Sequence, residues 1–226
     1  MKNTLQETYF CDYNHPAIQK LAEKLSKRTN DPVEIAKKTF YYVRDNIITG
    51  YDLYKVKASE VLQKGYGVCW GKSNLLIALL RCNKIGAQFG TIPVHRKFIA
   101  PLIGNFYYLA NSPYNHCVVH GHLNDRWTIL DPILDKRTYK TFFVPKNVQW
   151  GIDWNGKDDC RLYTESVVGE LEIHEDIDLT IKRKAGNTEL PAFVAQKIYN
   201  FLNKRIWQRT GFFQEKHFNG KKIVDF

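Results

Sequence analysis

From Cys69 to Asn83 the chain allows little except a buried helix, because Leu75, Leu76, Ile77, Leu79 and Leu80 cover most sides of a 3.6-residue spiral. A helix that is apolar nearly all round keeps no face for water, so other elements must pack around it. Gly86 marks its expected end. Upstream, one helix opens near Pro16 and carries Ile18, Leu21, Ala22 and Leu25. A second opens at Asp31-Pro32-Val33-Glu34, where Asp can cap free N–H groups, Pro fits the first turn and Glu takes the capping-box position. Its stripe of Val33, Ala36, Phe40, Val43 and Ile47 recurs every three or four residues, which buries one side only.

After Ala87 the period changes. Short runs rich in β-branched and aromatic residues at 88–94, 116–123, 126–131 and 171–179 predict strands. Helical spacing returns from Pro191 to Trp207, where Phe193, Val194, Ile198, Phe201, Leu202 and Ile206 form a face that should dock on the rest of the chain. Helices first and antiparallel strands afterwards imply an α+β fold, not an alternating parallel one. A length of 226 residues, 44% of them hydrophobic, suits a single domain over residues 1–226 with an extension from about 160 to 226.

Net charge is +10, but residues 181–226 hold ten Lys/Arg against Glu189, Glu215 and Asp225, so the surplus belongs mainly to the C-terminal end. Trp207, Phe212 and Phe213 beside Lys204, Arg205 and Arg209 are a faint version of a nucleic-acid surface; a solvated basic helix face, or one lying against the acidic stretch from Asp158 to Asp178, is the plainer expectation. No leader pattern and no membrane-length apolar run is present in the sequence, so a cytoplasmic protein without membrane contact is expected. Cys11, Cys69, Cys82, Cys117 and Cys160 are an odd set without repeated spacing, which points to reduced thiols instead of a disulfide framework.

Cys69 stands apart because it lies where Gly65-Tyr66-Gly67 meets the start of the buried helix. Unpaired N–H groups and the positive end of the helix dipole favour thiolate there. Acyl transfer also needs an imidazole to carry a proton and a third group to orient the ring. Strand parity nominates His116 and Asp131. If Asn124-Asp125 is a two-residue turn, Leu123 faces Arg126, and Asp131 then falls opposite Val118, diagonal to His116 on the same side. A turn one residue longer would separate them. Cys82 and Cys117 lack such surroundings and read as core. His116, His120 and His122 share a strand face with Asp131 across from it, but His116 and His120 alone lie about 13 Å apart, too far for all three to reach one ion, so no metal is expected.

Ala58-Ser59-Glu60-Val61-Leu62, Gly67-Val68-Cys69, Ala78-Leu79-Leu80-Arg81 through Ile85-Gly86-Ala87, Asn115-His116 and Trp127-Thr128-Ile129-Leu130-Asp131-Pro132 resemble, in order and spacing, the motifs of the transglutaminase-like superfamily. The resemblance covers about residues 31–135 as the domain core. It implies a papain-like core with the nucleophile at a helix start and His and Asp on adjacent strands. It also implies a cofactor-free Cys-His-Asp triad acting on a protein, peptide or other amide, as hydrolase or acyl transferase. The backbone N–H of Cys69 is one oxyanion donor; Tyr51, at about the place of an aromatic in related sequences, is the preferred second and Gln63 the alternative. His116-Cys117-Val118-Val119 lacks the aromatic that often follows the family's histidine, and the aromatic loop 95–114 matches nothing in it. That loop could wall a cleft or cover the core. Two other classes stand beside this one. One is a non-catalytic protein-binding module on the same scaffold; the other is an arylamine N-acetyltransferase-like enzyme, whose arginine-containing turn before the cysteine is missing here.

Overall fold

A computed structural model describes residues 4–160, 164–186 and 191–212. Helix α1 (Pro16–Ser26) and helix α2 (Pro32–Asn46) precede a two-residue strand β1 (Ile48–Thr49). Asp31 caps α2 by accepting from the Val33 N–H at 3.0 Å, whereas Glu34 pairs with Lys38 at 3.1 Å instead of closing a capping box. A helix not anticipated from periodicity, α3 (Ala58–Lys64), ends at Gly65, whose φ of 69° turns the chain into β2 (Tyr66–Gly67). β1 and β2 pair in parallel.

Helix α4 (Cys69–Cys82) is the core. Leu75, Leu76, Ile77, Leu79 and Leu80 are fully buried, each stabilising the fold by about 1.5–3 kcal/mol. The left-handed residue that ends α4 is Lys84, φ 61°, not Gly86. α1, α2 and α3 pack on one side of α4, and a four-stranded sheet in the order β5-β4-β3-β6 packs on the other. Its strands are β3 (Ala87–Val94), β4 (Tyr114–Leu123), β5 (Arg126–Leu130) and β6 (Glu172–His174), all antiparallel. Asn124 and Asp125 have φ of 49° and 58°, the double left-handed turn that a two-residue hairpin requires. Leu123 pairs with Arg126 and Val119 with Leu130, the register expected from parity.

Between β3 and β4 the chain makes single turns, including α5 (Ala100–Ile103); after β5 come α6 (Lys136–Thr138) and further single turns to Lys146. The expected strand over 171–179 is only Glu172–His174. Asp176 then accepts from the Leu179 N–H at 2.8 Å and starts helix α7 (Ile177–Gly186), because Ile177 and Ile181 recur at helical spacing. Asp178 in that acidic stretch accepts from the N–H groups of Tyr9 and Phe10. The last helix, α8 (Ala192–Thr210), docks through Ala195, Leu202, Asn203, Ile206 and Thr210, a face that shares only Leu202 and Ile206 as buried residues with the expected one, whereas Phe193 and Phe201 stand exposed. Trp207 and Phe212, which the sequence offered as stacking platforms, serve internally: Trp207 donates to the Thr49 carbonyl and Phe212 lies under Arg137. Phe213 and the lysines beyond it lie outside the described residues. Among the described residues no helix is long and apolar enough to cross a membrane.

Candidate active site

Cys69 is the first residue of α4, and Val68 before it is extended and provides no side-chain cap. The N–H groups of this first turn therefore point toward whatever lies in front of the thiol. β4 places His116 over the same point, since the hairpin register puts Asp131, just past β5, on the ring's far side. The Nε2 of His116 lies 3.0 Å from Asp131 Oδ2, and Asp131 Oδ1 accepts from the Ile133 N–H at 3.2 Å. The other ring nitrogen, Nδ1, has no close hydrogen-bond partner among the described residues, and Cys69 acts electrostatically on the His116 ring. The structure thus brings Cys69, His116 and Asp131 together, in the order thiol, ring, carboxylate. Cys69 and His116 are 0% exposed and Asp131 is 2% exposed.

Electrostatics separate this thiol from those of Cys11, Cys82 and Cys160. Burial alone would raise Cys69, but the hydrogen bond and charge of His116, the Cys117 backbone and the Tyr114 hydroxyl outweigh it, and the thiol is held below its ordinary value. For His116, burial acts to lower the ring; the Asp131 charge and hydrogen bond and the Cys69 partner overcome it and raise the imidazole to about 10. Cys11 and Cys160 are pushed up to about 12, chiefly by burial, and burial also raises Cys82. The inward face of the site is thus poised for a thiolate–imidazolium pair.

Three tyrosines surround the sulfur. Tyr114, in the aromatic loop that matched no motif, brings its hydroxyl to 3.7 Å from Cys69 Sγ. Tyr51 and Tyr54 are both raised, by burial first and then by the nearby Cys69 charge, so all stay neutral O–H donors at ordinary pH. Sequence reasoning chose Tyr51 and missed Tyr114, because nothing local says that the residue two before His116 in a strand faces the helix start. Gln63, the other oxyanion candidate, is exposed on α3. Phe98, from the same loop, sits with its ring 5.0 Å from that of His116, and Trp150, 6.2 Å from His116, packs against Phe98 at 4.6 Å. The loop therefore walls the site. His120 and His122 instead flank Trp127, at 4.7 and 4.9 Å, and no three metal-ligating side chains converge among the described residues.

Residues 19–132 match the family model described as the transglutaminase-like superfamily. No curated protein matches the sequence. Among solved structures, a candidate cysteine protease from Cytophaga hutchinsonii is 21% identical with a TM-score of 0.45, over 57% of this chain and 40% of its own. A candidate protease from Parabacteroides distasonis is 13% identical with a TM-score of 0.40, over 57% of this chain and 25% of its own. The red sea bream transglutaminase is 20% identical with a TM-score of 0.37, over 57% and 27% respectively. The chain thus corresponds to less than half the length of each of these larger proteins.

Proposed function

The chain belongs to the transglutaminase-like superfamily, and on that premise we propose that it is a cysteine-dependent enzyme performing acyl chemistry at an amide or peptide bond. The observation that carries this reading is the pairing of His116 Nε2 with Asp131 Oδ2 at 3.0 Å, which leaves Nδ1 to a Cys69 thiol held below its ordinary value.

The Cys69 thiolate adds to the amide carbonyl carbon, and the carbonyl electron pair moves onto oxygen. In this reading the N–H of Cys69 and a tyrosine hydroxyl, Tyr51 or Tyr114, donate to that oxygen. His116, as imidazolium, gives its Nδ1 proton to the leaving nitrogen as the C–N bond breaks, and a thioester remains on Cys69. The neutral ring then takes a proton from water or from an amine as that nucleophile attacks the thioester, and Cys69 leaves as thiolate. The Asp131 carboxylate orients the ring and stabilises the imidazolium. Water gives hydrolysis and an amine gives acyl transfer; both pass through the same thioester. No cofactor enters any step.

Turnover of a peptide amide library, with and without a primary amine, tests the reading. Release of ammonia or peptide fragments that vanishes in Cys69→Ala is the expected result, and an amine adduct in place of acid identifies the transferase. A folded protein that forms no Cys69 thioester with any member would favour a non-catalytic binding module.

A further inference from the structure

Tyr199, Asn203 and Trp207 recur every four residues along one face of α8, and all three engage a single short segment, Thr49-Gly50-Tyr51. The Trp207 Nε1–H donates to the Thr49 carbonyl at 3.0 Å. Asn203 is 2% exposed, and its side-chain amide is committed to one residue: Oδ1 accepts from the Tyr51 N–H at 2.6 Å and Nδ2 donates to the Tyr51 carbonyl at 2.8 Å. The Tyr199 ring stacks on the Tyr51 ring at 5.8 Å and 23°. Gly50 permits this approach, since a Cβ there would stand 2.9 Å from Trp207 Cζ2.

The segment held in this way is next to the chemistry. Ile48 and Thr49 pair with Tyr66 and Gly67, and the Gly50 N–H donates to the Gly67 carbonyl at 3.1 Å, two residues before the nucleophile. The Tyr51 hydroxyl is raised by burial and then by the charge of Cys69, which sets that hydroxyl within electrostatic reach of the sulfur. Helix α8 lies wholly beyond the residues 19–132 that match the family.

We propose that Asn203 is a positioning residue: by clamping both main-chain groups of Tyr51 it makes α8 a working part of the site and holds the Tyr51 hydroxyl where the oxyanion of an acyl substrate forms. The proposal rests on Cys69 being the nucleophile. It separates two reactions of that sulfur. Iodoacetamide is attacked at a saturated carbon and loses iodide, and no oxyanion arises. With p-nitrophenyl acetate, the thiolate adds to the carbonyl carbon, negative charge forms on oxygen, and p-nitrophenolate leaves to give the acetyl thioester. Oxyanion donors assist only the second.

Acetylation and alkylation of Cys69 are measured side by side in the full chain, with mass mapping to confirm the site. Asn203→Ala should slow acetylation about tenfold or more, leaving alkylation within about twofold. Tyr51→Phe should do the same, and the double variant should lose little beyond either single one. Equal loss in both reactions, or acetylation unchanged in Asn203→Ala, overturns the proposal. Should Asn203→Ala not fold, Tyr51→Phe decides, because it keeps every main-chain contact; unchanged acetylation there overturns the oxyanion role. An unaltered protein whose Cys69 is alkylated but never acetylated overturns the nucleophile assignment itself, and this proposal with it.

Discussion

Asparagine at position 131 would keep the volume of the side chain and the bond to the Ile133 N–H but remove the charge facing His116 Nε2. That charge is the largest influence raising the imidazole, and the imidazolium in turn is the largest influence lowering the thiol. The sign of the pH dependence follows. In the unaltered protein, alkylation of Cys69 should rise with pH through a midpoint below the ordinary thiol value of 9.0, then stay level while His116 remains charged, to about 10. Asp131→Asn should move the midpoint upward and slow alkylation at neutral pH about tenfold or more, because losing about 1.4 kcal/mol of thiolate stabilisation cuts the reactive fraction tenfold. Stopped-time alkylation across pH, with a melting curve for each variant, measures both. A folded variant with an unmoved midpoint would show that Asp131 does not orient the ring, and an unfolded one that its role is chiefly structural.

One turn beyond Cys69, α4 presents Lys72, a fully buried ammonium whose Nζ donates to the carbonyls of Arg44 and Ile47 at 2.9 and 2.7 Å. Arg44 lies in the last turn of α2 and Ile47 is its C-cap, so the lysine caps one helix from the body of another. Lys72→Met should fold less stably by about 2–3 kcal/mol, because two buried carbonyls lose their donor. Burial lowers Lys72 to about 8, from 10.5, so the unfolded chain holds this proton more tightly than the folded one. The stability difference between the unaltered protein and Lys72→Met should therefore widen as pH rises from about 8 toward 10.5, which denaturant titrations at several pH values would register. How far such elements were legible depended on how local their causes are. The Asn124-Asp125 turn fixes a register by its own two residues, and with it the approach of Asp131 to His116. The apolar spacing of α8 announced that the helix docks but misplaced the face, since Phe193 and Phe201 stay exposed while Asn203 meets Tyr51 across 152 positions. Tyr114 was hidden likewise, its partner lying 45 positions away. The overlong strand at 171–179 failed for a different reason: Leu171 and Ile173 alternate, but Asp176 can cap a helix and Ile177 and Ile181 sit four apart.

Across the whole molecule, the α4 start, the hairpin and the aromatic loop enclose Cys69 so completely that it has no exposed surface, while Cys82 is only half-buried. Ionisation favours Cys69 and access favours Cys82, so reagent size should decide between them. Iodoacetamide should modify Cys69 first; a bulky fluorescein maleimide should prefer Cys82, and urea well below the unfolding transition should restore its reaction with Cys69. Peptide mapping of both adducts measures this, and a maleimide that labels Cys69 as fast as iodoacetamide would show an open site in solution. A sulfur sealed in this way reacts only during excursions of the fold, at its intrinsic rate multiplied by the fraction of time the cover is lifted. The same fraction divides into the affinity of any substrate that binds the lifted form. A lone small amide has too little surface to hold the cover away, whereas an extended polypeptide can oppose reclosure along its length. Selection among substrates would then be exercised less by the shape of a pocket than by which chain can keep the protein from shutting.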